Sequence, residues 1–289
     1  MADVASPAYV SSVDFPQRRF PGVGKIPGSP LWERIINGPM HSRRLGLSLG
    51  LNILPPRSKL CTFDCPYCEC GFNTPKAHGQ RWPSPDLVAD ALRKTIGFLK
   101  ERGERGERGE KGEIGGTSGL PDWVTFAGNG EPTMHPRFPV VVERVLATRD
   151  EVAPGLRVGI LSNGLAAGKP SIRGALNRLD ARMMKLDPGP TGTVNGLAYD
   201  REPLVRSYLE LKDVIVQAMF VQGPGFDCGS EESVAEWLGW LERVRPTAVH
   251  IYSLDRAPAD LAVQPVARDR LDAIADRARS VIEGTVDVF

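Results

Sequence analysis

Cysteine and histidine are scarce, and neither sign of charge dominates. The 289 residues include 5 Cys and 4 His, and 36 Lys and Arg against 35 Asp and Glu leave a formal net charge of +1. A charge so near zero supplies no long-range field to gather a polyanion, so only a local basic patch would serve for RNA. Aromatic residues are 7% of the chain, and no stripe of alternating aromatic and basic side chains offers a stacking surface for bases. No run approaches the ~18 apolar residues of a membrane span. Met1 to Ser12 lacks the basic stretch and apolar run of a secretory leader. A cytoplasmic protein with no membrane partner is expected. Four of the five cysteines crowd between Cys61 and Cys70, too close for a disulfide framework, so reduced thiols that bind a metal are the better reading.

What is present suits a large soluble core: 41% hydrophobic and 25% charged residues. Length alone allows two average domains or one α/β barrel. The first 40 residues are rich in Pro and Gly without a sustained period, so residues 1–37 are read as an extended arm and 38–289 as the folded unit. Apolar, β-rich runs recur at Leu45–Leu54, Trp123–Ala127, Leu156–Leu161, Arg182–Leu186, Val214–Val221 and Thr247–Leu254. Helical spacing falls between and after them at Ser84–Glu101, Pro136–Thr148, Ser171–Leu179, Glu202–Leu211, Ser230–Val244 and Arg268–Ile282. Six strand–helix alternations predict an α/β fold with a parallel sheet, a partial (βα)6 barrel of the TIM type left open on one side. One segment breaks the rhythm. Arg102 to Glu113 spaces Gly103, Gly106, Gly109 and Gly112 three apart amid alternating charge, and residues 102–119 are read as a solvated loop insertion without chemistry.

The segment Cys61-Thr-Phe-Asp-Cys65-Pro-Tyr-Cys68 follows the first expected strand directly, where a barrel places its βα loop at the catalytic mouth. Thiolates three and four residues apart can wrap one iron–sulfur cluster and leave one of its irons without a protein ligand. The plainer alternative is structural zinc, with Cys70 or His78 as fourth ligand, although no second Cys-x-x-Cys pair exists. Spacing alone leaves both open.

A CxxxCxxC run with an aromatic, Tyr67, before the last cysteine resembles the signature of the radical S-adenosylmethionine superfamily. The resemblance implies a [4Fe–4S] cluster on Cys61, Cys65 and Cys68 whose open iron chelates S-adenosylmethionine. One electron, from a donor such as flavodoxin or ferredoxin, then cleaves the sulfonium to a 5′-deoxyadenosyl radical. Gly128-Asn129-Gly130-Glu131-Pro132 ends the second expected strand and is similar to the family's GGEP motif, whose backbone and acid hold the methionine ammonium, but Asn129 spaces the glycines differently. Ser162-Asn163-Gly164 and Lys185-Leu186-Asp187 end the next two strands, where similar enzymes place groups for the ribose and the carboxylate. A turn at Asn163-Gly164 and a helix cap at Asp187 are the plain readings. The expected cofactor contacts are thus Tyr67, Gly128, Gly130, Glu131, Asn163, Lys185 and Asp187.

A narrower resemblance covers residues 38 to 282. The stretch from Gly38-Pro39 through Arg43-Arg44 to Gly50-Leu51-Asn52, the cysteine loop, Thr125 to Thr133, and Tyr252-Ser-Leu-Asp-Arg256-Ala-Pro are similar to standalone iron–sulfur oxidoreductases related to wyosine synthases. It implies radical modification of a small metabolite or a tRNA base. Two rivals stand beside it: an activase that installs a glycyl radical on a partner protein, and a non-catalytic zinc or iron–sulfur binding protein.

Other residues draw the eye. Arg43 and Arg44, before the first strand, suit a phosphate or a substrate carboxylate. Cys228, after the fifth strand, could donate a hydrogen atom, but a lone Cys is usually inert. Cys70 is expected to be a bystander. His135 is the one histidine placed to serve as acid or base, against the plainer reading of a surface residue flanking a helix. Trp237 and Trp240 have core spacing.

Overall fold

The computed structural model describes residues 31–74, 81–104 and 120–289. Most of the expected arm, His78 and most of the Gly-repeat segment lie outside the described residues. Two strands open the fold, β1 (Ile36–Ser42) and β2 (Gly46–Leu51), followed by the cysteine loop and helix α1 (Pro85–Glu104). Then come β3 (Trp123–Phe126), α2 (Phe138–Val152), β4 (Arg157–Ser162), α3 (Pro170–Leu176), β5 (Ala181–Lys185), the one-turn α4 (Thr191–Val194) and α5 (Arg201–Leu209). The last third holds β6 (Val214–Met219), β7 (Val221–Gly223), β8 (Phe226–Asp227), α6 (Glu231–Val244), β9 (Ala248–Tyr252), β10 (Gln264–Pro265), α7 (Arg268–Val281) and β11 (Thr285–Val288).

Eight strands form one sheet in the order β1-β2-β3-β4-β5-β6-β9-β11. Every pairing from β2 to β11 is parallel, and only β1 runs antiparallel. This is the partial TIM-type barrel that the strand–helix rhythm predicts, with all six expected strands present. The count differs at both edges. β1 begins at Ile36, inside the expected arm, with Ile35 and Ile36 buried, and β11 adds a seventh parallel strand after the last expected helix. α1 also continues to Glu104, three residues into the segment assigned to the loop.

Strand parity separates two faces, because successive side chains point to opposite sides of a sheet. Leu49, Leu51, Val124, Phe126, Val158, Ile160, Met184, Val214, Val216, Ala218, Val249 and Ile251 join the buried apolar core with the helices. The alternate positions form the concave face, in register across neighbouring strands: Ser48 with Trp123, Gly50 with Thr125, Lys185 with Gln217, Gln217 with His250, and Met219 with Tyr252. Burial of continuous apolar runs on the helix side explains the core, and the polar residues left over gather on the side facing the barrel interior.

Candidate functional site

The cysteine loop leaves the carboxyl end of β2 and is braced from two sides by backbone. Leu60 N–H donates to the Asn129 carbonyl at 2.8 Å and Glu131 N–H to the Leu60 carbonyl at 2.9 Å, a one-residue parallel bridge to Gly130. Gly130 has φ +131°, and a Cβ there would overlap the Leu60 carbonyl. On the far side Asp64 N–H donates to the Asn195 carbonyl at 2.7 Å, and Gly196, at φ +65°, passes so close that a Cβ would strike the Asp64 backbone. Both glycines are required by close approach as well as by positive φ.

Polar side chains finish the loop. Asn73 accepts from Cys61 N–H at 2.9 Å and returns its amide to the Cys61 and Phe63 carbonyls at 3.1 and 3.0 Å. Lys59 is buried, donating to the Gly71 carbonyl at 2.6 Å and to Asp64 Oδ1 at 3.3 Å. Arg256 pairs with Glu69, and Asp260 N–H donates to the Pro66 carbonyl at 2.9 Å, so the loop after β9 also packs on the cysteine loop.

The three thiols differ. Burial pushes Cys61 up to about 12 and Cys65 up to about 11. Cys68 is instead held down, first by a hydrogen bond from the neighbouring Cys70 thiol. The Cys70 thiol itself reaches the Gly128 carbonyl at 3.5 Å. Thiols this deep become thiolates against a cationic partner, which is what a coordinated metal centre supplies. Donors already point at two of the sulfurs: Phe63 N–H and Asn163 Nδ2 at Cys61 Sγ, 3.4 and 3.7 Å, and Asn195 Nδ2 at Cys65 Sγ, 3.8 Å. Such donors are a usual accompaniment of cluster sulfurs. Among the described residues no group of three or more His, Cys, Asp or Glu side chains is arranged to hold a single metal ion.

Glu131 sits deeper than the sequence suggests. It caps a short 3-10 turn after β3 and accepts from Thr133 N–H, Thr133 Oγ and Ser162 Oγ on Oε1 at 3.0, 2.6 and 2.8 Å, and from Asn163 N–H on Oε2 at 2.7 Å. Burial raises its pKa, and the four donors oppose that rise. The carboxylate ties the end of β3 to the end of β4 and, through the Asn163 amide on Thr62 Oγ at 2.6 Å, to the cysteine loop. Asn129, whose presence between the glycines is the departure from the family pattern, is wholly buried. It clamps the carbonyls of Trp32, Pro55 and Pro56 with its amide at 2.8, 3.1 and 3.2 Å, and its Oδ1 accepts from Trp32 N–H at 2.7 Å. Gly128 leaves room for Asn52, which a Cβ would overlap.

Tyr67, Lys185 and Asp187 form one buried group. Asp187 accepts from Tyr67 Oη, from Asn195 Nδ2 at 2.8 Å, from Met219 N–H at 2.9 Å and from Lys185 Nζ at 3.0 Å. Lys185 reaches Tyr252 Oη at 3.1 Å and lies 4.8 Å from the centroid of the Tyr67 ring. Burial is the largest influence on the Lys185 ammonium and works against it, but Asp187, Tyr252 and Cys65 together outweigh it and the pKa is raised. Tyr67 is held protonated, by burial first and by Asp187 second. Asp187 is thus an ion-pair hub, not a helix cap. Asn195, which no motif marks, touches Cys65, Asp187 and Tyr67 at once.

The remaining candidates separate cleanly. His135 is buried with both ring nitrogens spent, Nε2 against the Pro83 carbonyl at 2.9 Å and Nδ1 on Arg137 N–H at 3.1 Å, so it is neither a surface residue nor a free base. Cys228 is fully buried against the Pro188 carbonyl at 3.3 Å and pushed up to about 12 by burial, which suits packing. Trp237 is core, its Nε1 on the Leu186 carbonyl at 2.8 Å, but Trp240 is half-buried and turns to Glu236. Arg43 pairs with Asp255 at 3.4 Å, both half exposed, and Arg44 reaches Gln217 Oε1 at 2.6 Å with its guanidinium 4.6 Å from the Tyr252 centroid. No helix among the described residues is long and apolar enough to cross a membrane.

No family model matches the chain. It is 23% identical over 251 residues to a UPF0026 protein of Helicobacter pylori, covering 82% of this chain and 71% of the relative. A UPF0026 protein of Methanocaldococcus jannaschii is 25% identical over 239 residues, 79% of this chain and 66% of its own length. Among solved structures, TYW1 with a lysine-pyruvate adduct bound superposes with TM-score 0.58 at 14% identity, over 81% of this chain and 74% of that one. Streptococcus suis SuiB bound to S-adenosylmethionine gives 0.55 at 13%, over 83% and 50%. At these identities the structural likeness speaks to the fold.

Proposed function

We propose, from the premise that the chain is a radical S-adenosylmethionine superfamily member related to the wyosine synthases, that it acts as a radical enzyme on a small metabolite or a tRNA base. In this reading Cys61, Cys65 and Cys68 hold a [4Fe–4S] cluster and S-adenosylmethionine binds beside it. When bound, the pair supplies reductive cleavage of the sulfonium and a 5′-deoxyadenosyl radical, with the electron coming from a partner such as flavodoxin or ferredoxin.

The observation that carries the reading is the seating of the three-cysteine loop. It sits at the carboxyl end of β2, at the mouth of a partial parallel barrel, locked between Gly130 and Gly196. That end of such a barrel is where active sites are built.

The chain's own residues would divide the work. Asn163 and Asn195 present N–H groups to the ligand sulfurs. Gly130 lets the β3 loop lie flat against the cysteine loop, Gly128 makes room for Asn52, and Glu131 fixes the loop's distance from β4. Tyr67, Lys185 and Asp187 form a wall beside Cys65 in which the one ammonium is matched by one carboxylate. Such a wall excludes water without adding net charge, as a site for a reactive radical requires.

The test is anaerobic. The protein is reconstituted with iron and sulfide, reduced with dithionite and given S-adenosylmethionine, and 5′-deoxyadenosine is measured by mass-detected chromatography. Formation that disappears in Cys65→Ala is expected. A fully loaded cluster that yields none would overturn the reading in favour of a binding protein.

A further inference from the structure

We propose that Arg44 anchors an anionic group, a carboxylate or a phosphate, against the concave face of the barrel. The proposal deepens the radical-enzyme reading by naming a chemical feature of what the site takes, and it rests on that reading.

Arg44 lies on the turn between β1 and β2, yet its side chain ends over strands on the other side of the sheet. NH1 donates to Gln217 Oε1 of β6 at 2.6 Å, and the guanidinium lies over the ring of Tyr252, the last residue of β9, at 4.6 Å. Register puts Gln217, His250 and Tyr252 on the concave face beside Lys185. Tyr252 Oη in turn stands 3.1 Å from Lys185 Nζ, so one side chain separates Arg44 from the Lys185–Asp187–Tyr67 group that borders the cysteine loop.

What distinguishes Arg44 is its charge balance. Lys185 is answered by Asp187 at 3.0 Å, and Arg43 next door by Asp255 at 3.4 Å. Among the described residues no carboxylate stands within ion-pair distance of Arg44. Its partners are neutral: an amide, a phenol ring and, behind the amide, an imidazole. With Oε1 taken by Arg44, Gln217 turns its Nε2 N–H to His250 Nδ1 at 2.6 Å, so that nitrogen must accept and the ring is uncharged. Burial and the Arg44 charge both hold His250 down, to about 4.

Half-buried, Arg44 carries a charge that no carboxylate among the described residues answers, so an incoming anion meets no internal competitor for it. None of Arg44's nitrogens is both buried and unpartnered, so those not spent on Gln217 reach accessible space. The guanidinium fork matches carboxylate and phosphate oxygens two at a time, and the Tyr252 ring holds its plane. The two possible sources of such an anion are a separate substrate and the carboxylate of S-adenosylmethionine itself.

The experiment is calorimetric titration of the reconstituted holoprotein with inorganic phosphate and with acetate, each with and without saturating S-adenosylmethionine. It compares wild type with Arg44→Met and Arg44→Gln, which keep a stem over Tyr252 and remove the charge. Loss of anion affinity by about tenfold or more, with S-adenosylmethionine affinity unchanged, assigns Arg44 to the substrate. S-adenosylmethionine binding weakened about tenfold in the variants, with added anions competing against it in wild type, assigns Arg44 to the cofactor's carboxylate. Anion and S-adenosylmethionine affinities both indifferent to the substitutions would overturn the proposal. Wild type needs no substitution for a second measurement: phosphate or acetate on Arg44 should raise the imidazole pKa of His250, which faces only Arg44 and Asp287 among charged groups that shift it, and an NMR titration indifferent to both anions would also sink the idea. Failure of wild type to bind S-adenosylmethionine would instead count against the radical-enzyme reading and leave the anion comparison intact.

Discussion

Gly130 and Leu60 are in such close backbone contact that no side chain fits at residue 130: a Cβ would overlap the Leu60 carbonyl, and φ is +131°. The cysteine loop is seated on this contact, one residue before the first cysteine. Gly130→Ala should therefore cost stability through both backbone strain and overlap, about 3 kcal/mol, and should also unseat the loop. Thermal melting and iron content after reconstitution measure the two effects. An alanine variant with wild-type melting and full iron would show that the loop does not depend on this seat.

On the radical-enzyme reading Asn195 would be a positioning residue, with its amide 3.8 Å from Cys65 Sγ and 2.8 Å from Asp187 Oδ2. N–H groups directed at ligand sulfurs favour the more reduced, more negative cluster and raise its potential. Asn195→Ala should lower the midpoint potential of the reconstituted cluster, followed by EPR in a redox titration, while its iron content holds. A midpoint unchanged from wild type would reduce Asn195 to a packing role.

Much of this arrangement is legible in the sequence because it is local. The six parallel strands announce themselves through apolar runs, and the helices through their period, within a few residues of their observed ends. Cys61, Cys65 and Cys68 lie in one loop, so their grouping needs no tertiary knowledge. β1 and β11 are harder: one carries Gly38-Pro39, which reads as a break, and the other is only Thr-Val-Asp-Val, too short to declare a period. Their strand character comes from pairing with neighbours. The roles of Asn195 and Asn129 are not legible locally, because decisive partners are supplied from far along the chain: Asp64 and Cys65 for one, Trp32 and Pro55 for the other. Arg44 is visible as a candidate beside Arg43, but the lone charge that sets it apart exists only once Gln217 and Tyr252 are brought beneath it.

His250 makes stability depend on acid. Its folded pKa is held near 4 by burial and by Arg44, below the ordinary ~6.5 of an unfolded imidazole. A depressed pKa means that the unfolded chain binds the proton first, so this contribution is complete above about pH 6.5 and is lost as the pH falls toward 4. His135, also lowered by burial, acts in the same direction. His250→Gln should flatten the fall in denaturant midpoint between pH 6.5 and 4 relative to wild type. Parallel curves for the two proteins would mean that His250 is not the group responsible.

Glu131 separates a structural carboxylate from one that serves the cofactor. Four donors converge on it, so Glu131→Gln turns an amide N–H toward groups that themselves donate. Leaving buried donors unmet costs about 1–3 kcal/mol each, and the melting temperature should fall in both Glu131→Gln and Glu131→Ala. The bonds on Oε1 come from Thr133 and Ser162, whereas Oε2 takes only Asn163 N–H. One oxygen therefore keeps accepting capacity that a methionine ammonium could use. If it is used, S-adenosylmethionine affinity, measured by equilibrium dialysis on folded variant below its melting range, should fall together with stability. A variant that loses stability but binds S-adenosylmethionine as tightly as wild type would leave Glu131 as the brace between β3 and β4 and remove it from the cofactor's contacts.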